Sequence, residues 1–150
     1  MVGKTFTFEV RRTSTAAPET LFALETDGER WSSWARPLVL QSSWARHGEH
    51  APGGVGAVRR VGLWPVLLGE QTVVYEPHRR HVYTFADGSA PVRGYRAEVL
   101  FTPNDAGGTD LTWRGSFTER VPGTGLPLRT VLHAAVRFLA TRLIAAAERE

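Results

Sequence analysis

The stretch from Gly123 to Glu150, GTGLPLRTVLHAAVRFLATRLIAAAERE, limits the possible folds more than any other part of the sequence. Pro127 stands near its start, where a missing backbone N–H costs little, and the glycines before it make a turn. At roughly 100° of rotation per residue, Leu128, Val131, Leu132, Ala135, Val136, Phe138, Leu139 and Leu143 share one broad face. Thr130, His133, Arg137, Thr141 and Glu148 lie opposite, and Arg142 falls inside the apolar arc between the directions of Phe138 and Ala135. A single long helix with so wide an apolar face needs an equally wide partner, which a curved antiparallel sheet supplies.

The rest of the chain reads as that sheet. Phe6, Phe8 and Val10 alternate with Thr7, Glu9 and Arg11, the period-two mark of a half-buried strand over Thr5 to Arg11. Further strands are expected at about Val55 to Trp64, Glu70 to Glu76, His81 to Ala86, Gly94 to Pro103 and Thr109 to Glu119. Turn residues separate them: Pro65 and Gly69, Glu76-Pro77-His78, Asp87-Gly88, and Asn104 to Gly108. Regular spacing without helical patterns between predicts an antiparallel meander. Tyr95, Ala97, Val99 and Phe101, then Leu111, Trp113, Gly115 and Phe117, should face inward; Arg96, Glu98, Arg114 and Thr118 should face water.

Between the first strand and the meander, Pro18 and Glu19 suit the first turn of a helix carrying Leu21, Phe22 and Leu24, and Asp27-Gly28 breaks it. A second short helix from about Glu29 places Trp31 and Trp34 on one face, and Pro37 ends it. The following LVLQSSWARHGE suits a strand. The pentapeptide SSWAR, at Ser32 and again at Ser42, thus falls in two different secondary structures and is a coincidence of composition.

Composition narrows function. The 150 residues fit one domain, 1–150, with 42% hydrophobic and 22% charged residues, as in globular proteins. Net charge is +3, with Lys4 the sole lysine among 18 basic residues, so Schiff-base chemistry would rest on a terminal side chain. The lack of cysteine excludes disulfides, thiolate nucleophiles and Cys-based zinc sites. No apolar run approaches a membrane span and the N-terminus lacks a signal-peptide core, so a cytoplasmic protein is expected.

The order strand, two short helices, meander and long closing helix resembles the α+β helix-grip fold. This superfamily (SRPBCC) includes START-like lipid-transfer domains, plant pollen-allergen relatives and bacterial polyketide cyclase/dehydrase-like proteins. Ala17 to Phe22 opening the first helix, Asp27, Trp31 and Trp34 as a D-x-x-x-W-x-x-W pattern, and Gly53-Gly54-Val55-Gly56 carry the resemblance, which spans essentially the whole chain. It implies a curved sheet of six or seven strands wrapped around the final helix, with an apolar pocket between them. Within the superfamily the chain resembles the bacterial polyketide cyclase-like proteins.

No G-x-S-x-G elbow accompanies the serines, and neither His47/His50 nor His78/His81 has a third partner for a metal. The glycine-rich loops lack the Lys-Ser/Thr of a phosphate-binding loop; the Gly123 to Gly125 loop could still offer helix N-terminal amides to an anion. Trp and Arg together suggest single-strand nucleic-acid binding, but the tryptophans fall where apolar elements need bulk and most basic residues alternate outward, so no nucleic acid is expected.

With the implied pocket, the expected ligand-binding set is Trp34, Trp64, Tyr75, Tyr83, Tyr95, Trp113, Phe117, Leu132, Val136, Leu139 and Arg142. A phenol from Tyr75, Tyr83 or Tyr95 would orient a ligand by hydrogen bonding, or else the tyrosines sit at the sheet rim. Arg142 either receives a carboxylate or phosphate head group or snorkels to water. Leu63 to Leu68, LWPVLL, is an apolar stretch at a hairpin turn. It closes a pocket mouth, touches a membrane transiently, meets a protein partner, or folds back onto the core.

The expected function is binding of a small hydrophobic molecule, lipid-like or polyketide-derived, as carrier or sensor, with no cofactor and no metal. A cyclase/dehydratase enzyme is the alternative that the resemblance alone carries, since no convincing acid/base pair emerges; Tyr95, Arg142 and His133 are its residues to test. A protein-interaction module without a ligand is the third reading.

Overall fold

The computed structural model describes residues 3–63, 66–86 and 90–150. The elements run β1 (Thr5–Ser14), α1 (Pro18–Thr26), α2 (Trp31–Trp34), β2 (Gln41–Arg46), β3 (Val58–Leu63), β4 (Val66–Glu76), β5 (Arg80–Phe85), β6 (Val92–Pro103), β7 (Thr109–Glu119) and α3 (Gly125–Glu148). The seven strands form one antiparallel sheet in the order β1-β7-β6-β5-β4-β3-β2. Consecutive strands from β2 to β7 are neighbours, as the turn residues between them require, and β1 closes onto β7. This is the helix-grip architecture. Register shifts in β2, β4 and β6 mark bulges, which bend the strands around the helix.

α1 and α2 fill one end of the grip. Pro18 occupies the first turn of α1, whose start is satisfied by the Ala17 carbonyl accepting from Thr20 and Leu21 N–H. Leu21, Phe22 and Leu24 are buried, and Asp27 Oδ1 accepts from Glu29 N–H at 3.0 Å to turn the chain into α2. There Trp31 and Trp34 pack with ring centroids 4.8 Å apart, and Trp113 meets Trp31 edge-on at 6.1 Å. With Phe101, Leu111 and Leu143 these rings make a closed core.

The two SSWAR copies do lie in different structures, α2 and β2, yet their serines meet. Ser42 Oγ accepts from Ser32 N–H at 2.9 Å, lies 3.0 Å from Ser32 Oγ and donates to the Glu29 carbonyl at 2.8 Å. Gly115 solves a packing problem on the β1–β7 pair. It sits opposite Phe8, and a Cβ there would come within 2.5 Å of the Phe8 ring.

α3 is long and apolar enough, by length and composition, to cross a membrane, a correction to the sequence expectation. Here it packs against β1, β7, α1 and α2. Its buried stripe is Val136, Leu139, Ala140, Leu143 and Ala147. That stripe is rotated from the expected arc toward Ala140 and His133. His133 is half-buried and stacks on Phe8 at 6.0 Å, whereas Val131, at the other edge of the arc, is 62% exposed. Glu119 accepts from Gly123 and Gly125 N–H at 3.2 and 3.1 Å, so the loop amides suggested for an external anion already serve an internal carboxylate.

Candidate functional site

The other half of the grip is not filled. Between the first half of α3 and strands β3 to β6 lies a cavity of about 520 Å³, open to solvent on one side. Leu132, Ala135, Val136 and Leu139 line it from α3, Val61 and Leu68 from β3 and β4, and Phe85 and Tyr95 from β5 and β6. Phe85 and Tyr95 stack at 4.3 Å as one wall. Leu38, Leu63, Val66 and Val131, each 46% exposed or more, stand at the mouth.

Its inner end is polar. Tyr83, Tyr95 and Glu70 all line the cavity, and each is more than nine-tenths buried. Glu70 is the visible tip of a buried network. Arg59, directly opposite it in the β3–β4 register, donates from Nε to Glu70 Oε1 at 2.9 Å. Arg59 Nη2 donates to Glu25 Oε2 at 3.1 Å and Nη1 to the Glu25 carbonyl, while the guanidinium lies over Trp31 and Tyr83 at 4.2 and 4.7 Å. His81 Nδ1 sits 2.8 and 2.9 Å from the two Glu25 oxygens, and its Nε2 lies 2.9 Å from Thr72 Oγ1.

Two carboxylates share one guanidinium, unequally. Burial would raise Glu25, but attraction to His81 and Arg59 and the bonds they donate outweigh it, and its pKa falls below the usual carboxylate value. At Glu70, by contrast, burial prevails; Arg59 opposes it only in part, so Glu70 is held above the usual value. Burial, with Glu70 nearby, also raises both phenols, Tyr83 strongly, so they stay protonated donors.

Among the described residues, the sealed side-chain polar atoms without a hydrogen-bond partner are the Trp34 and Trp113 indole nitrogens. Glu70 Oε2 and the Tyr83 and Tyr95 hydroxyls have no partner among those residues either, so they open onto the cavity they line. The site is an apolar slot ending in one acid and two phenols.

Residues 5–148 match the family described as polyketide cyclase/dehydrase and lipid transport. The chain belongs to this family. No curated protein sequence matches it. Among solved structures it is similar to the Zhui aromatase/cyclase from Streptomyces sp. R1128, with a TM-score of 0.78 at 16% identity over 97% of this chain and 95% of that one. It is also similar to the di-domain aromatase/cyclase StfQ of the steffimycin biosynthetic pathway, at 0.78 and 19%, covering 97% of this chain and 51% of that one. The third is Ara h 8.0201, at 0.75 and 16%, covering 98% and 100%. At such identities the likeness is one of fold.

Of the residues the sequence singled out in this member of the polyketide cyclase/dehydrase and lipid-transport family, Tyr83, Tyr95, Leu132, Val136 and Leu139 line the cavity. Trp34, Trp113 and Phe117 are sealed in the core away from it, Phe117 stacking on Phe6 at 5.6 Å. Tyr75 lies outside the cavity, edge-on to Phe22 at 5.1 Å and beside Trp44 in a surface depression. Arg142 neither faces the cavity nor extends freely to water; its Nε donates to the Trp34 carbonyl at 3.1 Å, fastening α3 to the end of α2. Trp64 and Pro65 lie outside the described residues.

His78 and His81 do not act as a pair: His78 turns the chain with φ 63° and packs edge-on to Phe22, while His81 enters the core. Glu25, Arg59 and Glu70 were not singled out in the sequence, where most basic residues were expected to alternate outward, and His81 was considered only with His78 as a metal pair. The available signal was parity, because Arg59 shares a strand face with Val61, and Glu70 one with Leu68 and Thr72.

Proposed function

We propose that this protein binds one small, largely apolar molecule in the cavity under α3, as a carrier or sensor. The observation that carries the reading is the unfilled half of the grip, a slot of about 520 Å³. That lies within the range of roughly 300 to 1,000 Å³ typical of small-molecule sites with a few convergent polar groups. A module acting through a protein partner alone would need no such opening, and its core would be packed through.

Native mass spectrometry of the purified protein, followed by solvent extraction, should give a one-to-one adduct that disappears on denaturation. Nile red, a neutral apolar fluorophore, should bind at one site and be displaced when Leu132→Trp fills the slot. A bare mass together with no Nile red binding would overturn the reading.

Glu70 favours a second reading, catalysis of the polyketide cyclase/dehydratase kind. A buried carboxylate whose pKa burial raises is suited to holding and passing a proton, and a phenol beside it can donate to an oxyanion that develops on the substrate. On this reading Glu70→Gln abolishes turnover while ligand binding persists.

A further inference from the structure

We infer that the cavity selects apolar molecules whose head donates a hydrogen bond, an alcohol or an amine, and discriminates against carboxylates. The inference rests on the ligand-binding reading above and gives that ligand its polar chemistry.

Three observations lead to it. Glu70 is the sole charged side chain among the described residues lining the cavity. Its Oε1 is taken by Arg59, while Oε2, on a residue 8% exposed that lines the slot, has no hydrogen-bond partner among the described residues. An acceptor buried to that degree gains most from a ligand that brings a donor.

Among the described residues no cation lines the cavity to meet an anionic head. Arg59 does not line the cavity, and each of its three side-chain nitrogens donates to a protein acceptor: Glu70 Oε1, the Glu25 carbonyl and Glu25 Oε2. Its face is covered by Trp31 and Tyr83. Arg142 is bound to the Trp34 carbonyl. An entering carboxylate would therefore have to share a proton with Glu70 or sit beside its charge in an apolar surround. Two phenol donors do not replace the missing cation. A hydroxyl, by contrast, can donate to Glu70 Oε2 and accept from Tyr83 or Tyr95, and an ammonium can pair with Glu70 directly.

The test is a matched series on one ring system, titrated into the intact protein by calorimetry: 2-methylnaphthalene, 2-naphthalenemethanol, 2-naphthylmethylamine and 2-naphthoate. The methanol or the amine should bind more tightly than the methyl compound, and the naphthoate more weakly than the better of those two by roughly tenfold or more. Which of the two donors leads identifies the head group. In Glu70→Gln, with folding checked by its melting transition, the penalty against naphthoate should shrink to within a few-fold. Naphthoate binding as tightly as the methanol and amine to the unaltered protein would overturn the inference and leave the ligand-binding reading standing. Failure of the whole series and of Nile red would overturn both.

Discussion

Glu25 is fully buried and is the residue on which the internal charges converge: it faces both Arg59 and His81, and its carbonyl also accepts from Trp31 Nε1 at 2.8 Å. Removing one member of a buried charge cluster leaves the others desolvated and unpaired, which costs about 3–5 kcal/mol. Glu25→Ala is expected to lose that much in urea unfolding. Glu98→Ala is a control with comparable ion pairing, to Arg80 at 2.5 Å and Arg114 at 2.7 Å, but on partly exposed side chains. It should cost about 1 kcal/mol or less. Equal losses would mean that Glu25 is an ordinary ion-pair partner. In LFALETDGER helical spacing places Glu25 on the face of Leu21 and Phe22, but nothing local names its partners, which lie 34 and 56 residues further on.

Among the elements, β1 and β7 pair along their full length, and α3 crosses them through Phe8 and His133. Gly115 is what lets the Phe8 ring lie flat between strand and helix. Gly115→Ala is expected to destabilise by about 1–3 kcal/mol, the usual cost of overpacking, seen as a lower melting temperature. Adding Phe8→Leu should return part of the loss, because the clash is with the ring. Additive effects would show that Gly115 is needed for backbone reasons instead. The rotation of α3 from its expected face has the same origin: helical periodicity describes a wide apolar arc, and the strands against it determine which edge is covered. Val131 is on the uncovered edge and Ala140 on the covered one.

Over the whole molecule, the grip is sealed by aromatic residues at the α1–α2 end and open at the β3–β4 end, so a packed core and a ligand slot share one helix. The paired carboxylates, buried and partly exposed, give this arrangement a definite response to acid. Glu25 and Glu98 have folded values below the ordinary 4.5, so their contribution is complete above 4.5 and is lost as pH falls through those lower values. Glu70 is raised above 4.5, so ionising it costs stability at higher pH, and that cost is relieved as pH falls through its folded value. Urea midpoints should therefore hold or rise slightly from neutrality down toward 4.5 and fall below it. Glu70→Gln should flatten the upper limb and leave the acid limb unchanged. A midpoint that falls steadily from pH 7 in the unaltered protein would contradict these assignments.

The meander, its inward residues on β6 and β7, the two short helices and the long closing helix were legible because each follows from local rules: alternation, proline and glycine positions, and a 3.6-residue period. Tyr83, Tyr95, Leu132, Val136 and Leu139 were legible as inward-facing side chains for the same reason. Their division between a sealed core and an open slot was not, nor was the meeting of Glu25, Arg59, Glu70 and His81 beneath that slot. Local patterns specify which way a side chain points from its own element. Whether another element arrives to cover it, and which charge it meets there, depends on strand register, on bulges in β2, β4 and β6, and on how far α1 and α2 reach along the grip. Those are properties of the assembled chain, since they arise from contacts between residues distant in sequence.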